Sequence, residues 1–433
     1  SSNDSISLNA SIPQISIGKE WLRNSNINVR GSKESVIVNA STERRQKKGF
    51  SSIKLLAKAA ENRLRLIANT DNNHAPKFAG ELDLTANFLK TSNGMKDIRV
   101  WVAPTEMVIS DTVWQIHPAR LHWDSQTASI YGVKVSQGNS KSIEINGKLS
   151  EDEQDTLDIE LQQINVGYIL DLVNFHSVEF DGSANGKASV TGILSNPKAN
   201  VSLIVDNFTF NYAPLGTLYA NANWGDTQNF LSLNADIADS TANHKSLING
   251  GFNIGHPTIP DGLDLRVNTK GFNLAFLNFF TEDIFKDFRG RASGHCRIFG
   301  PFSAVDLEGD MQIDHADCIM PMLGTAYHLQ KDSVHLRPGS INIKALLMDS
   351  YAHPYEQYEH SNGNLPHTAL LEGGLMFNHF KNLRYNFNAT ANKFLGYDFR
   401  EFGENSFYAT CYATGTIGIH GESGRLTVDI DAT

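Results

Sequence analysis

Cysteine, long apolar runs, helical periodicity and catalytic signatures are all scarce in this chain, and each shortage removes a class of protein. Three cysteines in 433 residues make no metal cluster, and an odd number cannot be fully paired within the chain. Cys318 reads as a small packing residue on a strand, with a Cys296–Cys318 disulfide as the alternative. No segment reaches the roughly 18 apolar residues of a membrane-crossing helix, and Ser1 onward carries no secretory leader pattern. The expectation is therefore a soluble chain, or one whose targeting segment has been removed. Basic residues are outnumbered too: 37 Lys and Arg against 47 Asp and Glu give a net charge of −10. That balance argues against a nucleic-acid partner, because phosphate neutralisation needs a basic face. No G-x-S-x-G, H-E-x-x-H, P-loop or dinucleotide fingerprint occurs, so neither enzyme activity nor a cofactor is expected.

What the chain does have is period two. With 40% hydrophobic and 19% charged residues it is globular in composition. Leu157, Ile159 and Leu161 alternate with Asp158 and Glu160; Val201, Leu203 and Val205 are followed by Phe208, Phe210 and Tyr212; Tyr385 and Phe387 alternate with asparagines. Such spacing puts one strand face in apolar surroundings and the other in water. The same parity marks Leu231, Leu233, Leu263, Leu265, Val267, Met311, Ile313, Ile341, Ile343, Ile417 and Ile419. Turn chemistry separates the runs at Glu61-Asn62, Asn93-Gly94, Asn196-Pro197, Asn249-Gly250 and Asp261-Gly262. Residues 53–60 and the following Arg63-Leu64-Arg65-Leu66 read as a hairpin turning at Glu61-Asn62. Only 164–175 and 272–280 suggest a short helix or an irregular corner.

An internal repeat organises the strands. Sliding the chain until Phe180 meets Phe288 also aligns Gly182, Ala184, Gly186 and Gly192 with Gly290, Ala292, Gly294 and Gly300. Leu215-Gly216-Thr217 then meets Leu323-Gly324-Thr325, and a third copy starts at Ala413-Thr414-Gly415. Upstream of the copies, Asn146-Gly147, Asn249-Gly250 and Glu372-Gly373 correspond. Gap-free register of this length points to serial architecture. The division is 1–145 as an N-terminal sheet segment, 146–253 and 254–372 as two repeats, the second with an insert at 349–367, and 373–433 as a truncated third. Glycine on one strand face marks curvature or close approach of another surface. Closed barrel, two-sheet sandwich and a sheet folded along its own axis are the all-β solutions. Serial repetition without linkers favours the last: an elongated antiparallel sheet folded lengthwise into a half-pipe with an apolar groove lined by the residues named above.

Polar clusters offer bland readings. Asp158 and Glu160 are solvated outer-face residues. His353, Glu356, Glu359, His360 and His367, with Tyr351, Tyr355 and Tyr358, read as a polar insert rather than a metal site. Arg44-Arg45-Gln46-Lys47-Lys48 reads as an exposed hairpin tip.

The pattern Phe180-Asp181-Gly182-Ser183-Ala184-Asn185-Gly186, then Gly192 and Pro197, resembles the repeats of the TamB family, part of the AsmA-like group of diderm bacteria; the chain is closest in style to Bacteroidetes members. The second copy, from Phe288-Arg289-Gly290 to Leu323-Gly324, is similar, although Val305 replaces the proline. The resemblance implies a β-taco fold, a periplasmic protein anchored in the inner membrane through an N-terminal helix missing here, and an Omp85-type outer-membrane barrel as partner through a region outside this fragment. It also implies phospholipid as cargo, or alternatively a scaffold role in outer-membrane protein assembly. An adhesin-like or structural β-solenoid with a closed lining is a third reading. Unpaired edge strands near Ser1 and Thr433 are then expected as self-association liabilities.

Overall fold

The period-two alternation becomes antiparallel strand almost throughout the computed structural model. It describes all residues except 1–4, 18–19, 46–48, 76, 91–93, 95, 110, 125, 168–178, 196–197, 225–228, 240–242, 257, 282–284, 351–364, 380, 401–407 and 423–424. The protein is all-β, and its chain divides into two compact units, Ser1–Ile164 with Ala184–Val201, and Asn165–Ser183 with Ser202–Thr433.

The first unit carries β1 (Ile6–Ile17), β2 (Glu20–Gly31), β3 (Ser35–Arg45), β4 (Phe50–Ala60), β5 (Arg63–Asp71), β6 (Phe78–Lys90) and β7 (Lys96–Val102). Each pairs antiparallel with the next. After β8 (Thr105–Ile109), β9 (Thr112–Ile116) and β10 (Ala119–Trp123) come β11 (Ala128–Gln137), β12 (Lys141–Leu149) and β13 (Thr156–Asn165). Pro104 separates β7 from β8 and Pro118 separates β9 from β10. Proline cannot donate to a ladder, so two neighbouring strands break there. Pairing resumes on either side: β7 with β10 and β10 with β11, then β8 with β9, β6 with β8 and β9 with β11. The Ala103 and His117 N–H groups still donate to the Asp83 and Lys134 carbonyls, 2.9 Å in each case.

β14 (Phe180–Thr191) and β15 (Lys198–Phe210) are each divided between the units, residues 184–191 and 198–201 belonging to the first and the remainder to the second. The second unit runs on through β16 (Ala213–Trp224), β17 (Phe230–Asp239), β18 (His244–Asn253), β19 (Gly262–Asn273) and β20 (Lys286–Pro301). It continues with β21 (Asp306–Met320), β22 (Thr325–Arg337), β23 (Ser340–Asp349), β24 (Thr368–Asn378), β25 (Lys381–Phe399), β26 (Ala409–Glu422) and β27 (Arg425–Ala432). From β16 onward every strand pairs with its successor. A 3-10 turn (Leu274–Leu277) leads into a single helical turn, α1 (Asn278–Thr281), within the span where a short helix or corner is expected.

The hairpin at Glu61-Asn62 forms as the sequence suggests, both residues taking positive φ (49° and 61°), the twist a two-residue hairpin needs. Asn249-Gly250 is a correction. It is not a turn but the middle of β18, with Gly250 directly opposite Leu233 and Leu265. At its φ of +147° a Cβ would fall 2.0 Å from the Asp264 carbonyl oxygen, so glycine here serves close strand approach, the role the sequence gives to other glycines. Asn93, Asn196-Pro197, 168–175, Gln46-Lys47-Lys48 and the Tyr351–Tyr358 and His353–His360 groups lie outside the described residues.

Candidate functional site

Residues directly opposite each other across a ladder share a sheet face, so the registers trace which side chains adjoin. In the first unit one line runs Leu8, Val29, Val38, Ala57, Leu66, Leu84, Val102, Ala119. On the same face Val133, Ile145 and Ile159 are aligned, as are Val135, Ile143 and Leu161, while Leu157 lies opposite Gly147. In the second unit Ala220, Ala235, Ile248, Val267, Cys296, Gly309, Leu336, Ile341, Leu375 and Tyr385 form one line. Beside it run Gly294, Met311, Val334, Ile343, Gly373, Phe387 and Ile419. Phe252 lies between Leu231 and Leu263, Leu233 and Leu265 flank Gly250, Ile313 adjoins Ala292, and Ile417 adjoins Ala389.

These side chains are mostly half-buried. Among the described residues strand contacts run chiefly between sheet neighbours, with β22 and β23 also meeting β25 and β16 meeting β19. The two edges of each face differ. In the first unit Trp114, Ser51 and Asn72 are buried at one edge, whereas Ile6, Val36, Phe88 and Trp123 at the other are 70%, 38%, 43% and 54% exposed. Polar residues on the closed edge satisfy each other: Ser25 and Thr42 hydroxyls lie 2.7 Å apart, and Ser246 and Thr269 in the second unit 2.6 Å apart. The closed edge of the second unit is a packed core of Leu274, Ala292, Ile313, Ala316, Cys318, Tyr327 and Phe394, with Met311, Ile343 and Ile417 against it. Tyr327 stacks on Phe394 at 4.9 Å and donates its hydroxyl to the Leu395 carbonyl at 3.1 Å. Leu263, Leu265, Ile341, Tyr385 and Phe387 lie outside that core.

Val201, Leu203 and Phe210 are half-buried, while Val205 and Phe208 are buried. Tyr212 is a correction. It falls in the turn after β15 at φ +65° and is 76% exposed, so strand parity ends before it.

The reverse face carries the ion pairs, together with the exposed Leu56, Trp101, Tyr219 and Leu247. Arg65 bridges Asp83 at 2.7 Å, and Arg297 bridges Asp264 at 2.7 Å and Glu308 at 3.2 Å. The Arg297 guanidinium holds the Asp264 carboxyl below the usual carboxylate range, and Asp97 is lowered by Arg99 and then His122. Asp158 and Glu160 are exposed, and Glu160 lies 3.3 Å from Lys187.

No known family, curated protein or solved structure matches the chain.

Chemistry on the apolar face is muted. All three cysteines are free, so the alternative Cys296–Cys318 bridge is not formed. Burial pushes the Cys296 thiol up to about 11 and Cys318 to about 12. Among the described residues no group of three or more His, Cys, Asp or Glu side chains is arranged to hold a metal ion, and no helix is long and apolar enough to cross a membrane. His367 sits 3.3 Å from the buried Asp349. Sequence reasoning named no lining residue before Leu157. The alternation of Leu64 and Leu66 with Arg63 and Arg65 was the available signal for the first unit.

Proposed function

We propose that the apolar face carries phospholipid acyl chains from one membrane towards another without catalysis, the successive strands folding lengthwise into a half-pipe of serial repeats. The observation that carries this reading is the alignment of partly buried apolar side chains from strand to strand within each unit, as from Val29 to Val102 and from Ile248 to Tyr385. Removing such surface from water is favourable by roughly 25 cal/mol per Å², so an apolar occupant is stabilised there. Hydrocarbon needs no directional contact and slides along a uniform lining.

Local geometry supports the serial reading. A Cβ on Gly147, Gly250 or Gly373 would meet the Thr156, Asp264 or Asn386 carbonyl oxygen at 2.1, 2.0 and 2.1 Å. The Leu194 and Phe302 N–H groups, at equivalent positions of the two copies, donate to the Ser150 and Asp261 carbonyls. The likeness to TamB repeats adds a periplasmic setting, an inner-membrane anchor and an Omp85-type barrel partner to the proposal. Native mass spectrometry of the purified chain tests it. Diacyl phospholipid adducts are expected, reduced in Leu233→Asp and Phe387→Asp. A chain that neither retains lipid nor takes it up from phospholipid vesicles contradicts the reading.

A further inference from the structure

We propose that the open edge between the β2–β3 and β4–β5 turns seats the headgroup of a zwitterionic phospholipid, which rests on the acyl-chain reading of the adjoining face. A hollow of about 240 Å³ lies there. Its floor is the end of the apolar face, with Val36, Leu64 and Phe88. Val36 lies opposite Ala59, and Ala59 opposite Leu64, so the floor continues directly into the strand lines described above.

The rim is charged with both signs. Lys33 and Glu34 come from one turn, Glu61 and Arg63 from the other. Both turns are held by local structure. The Ser32 hydroxyl accepts from the Glu34 and Ser35 N–H groups at 3.3 and 3.2 Å, and the Ser32 N–H donates to the Ser35 carbonyl at 2.7 Å. Glu61 and Asn62 occupy the left-handed region. Two cations and two anions around an apolar floor complement a headgroup that carries a phosphate and an amine. A purely anionic headgroup meets two of the four charges as repulsion. Acyl chains leaving such a headgroup enter the face over Phe88 and Leu64.

The test is calorimetric titration of the intact chain with soluble short-chain lipids: dihexanoyl phosphatidylethanolamine, phosphatidylcholine and phosphatidylglycerol. The zwitterionic lipids should bind about threefold or more tightly than phosphatidylglycerol, the scale of an exposed ion pair. Combined Glu34→Lys and Glu61→Lys, at exposed turn positions, should reverse that order, while the uncharged Phe88→Ser should weaken all three lipids alike. If all three bind equally to the wild type, or the order survives the double substitution, the headgroup seat is wrong and the acyl-chain reading stands. If none of the three binds, the acyl-chain reading falls and the seat falls with it.

Discussion

Val205 and Phe208 stand three positions apart in one strand, yet both are buried, at 0% and 6% exposure. Strict alternation would turn one of them to water. Between them Asp206 and Asn207 are exposed, and Asn207 takes φ +53°, so the strand absorbs one extra residue and returns its aromatic end to the apolar side. Asparagine tolerates that conformation, whereas a β-branched residue does not. Asn207→Val should cost about 1–2 kcal/mol in denaturant unfolding, and Asn207→Gly should stay close to wild type.

Close strand approach at glycine gives a sharper contrast. At Gly250 and Gly373 a side chain would collide with a neighbouring backbone carbonyl, whereas at Gly31 the nearest atom to a Cβ is 3.5 Å away, an ordinary contact. Gly250→Ala and Gly373→Ala should each lose about 2–4 kcal/mol. Gly31→Ala should change stability by about 0.5 kcal/mol or less. Equal losses at all three sites would mean that the glycines matter only for flexibility.

Thiol reactivity reports on the apolar side directly. With pKa values pushed to about 11 and about 12, Cys296 and Cys318 are almost wholly thiol near neutral pH, and the thiolate is the reactive form. Maleimide at about pH 7.5 should label the exposed Cys411 promptly and the other two only on unfolding. Rapid labelling of Cys296 in the folded chain would place it on the wrong side of β20.

Acid should act through the ion pairs of the reverse face. Arg297 keeps Asp264 ionised below its ordinary range. The stabilisation from this pair is therefore present above the unfolded carboxylate value, about 3.9, and is lost as pH falls through the lower folded value. Comparing wild type with Asp264→Asn across the acid range, the stability gap should be widest above about pH 5 and close on acidification. The gap should be modest, since both partners are about two-fifths exposed.

The strand character was legible because apolar and polar residues alternate without competition from helical spacing, and the Glu61-Asn62 hairpin was legible because its turn chemistry is local. Which side chains share a sheet face was legible wherever register stays regular, as from Leu263 to Val267. Tyr212 was misassigned because the alternation of Phe208 and Phe210 was carried one step too far, past the turn signal of Asn211 and Pro214. Asn249-Gly250 looked like a turn because the same dipeptide serves hairpins and close strand contacts; only the pairing of Gly250 with Leu265 distinguishes them. The difference between open and closed edges, Phe88 against Trp114, depends on how strands curl and was not written in the alternation at all.

Neighbouring positions of opposite parity give the most direct test of the central claim. A photo-crosslinking residue at Leu265 or Phe387, produced in a bacterial host and irradiated, should capture phospholipid. The same probe at Arg266 or Asn388, on the reverse face of the same strands, should capture none. Equal capture at both parities, or none at Leu265 and Phe387, would contradict an acyl-chain path along the apolar face.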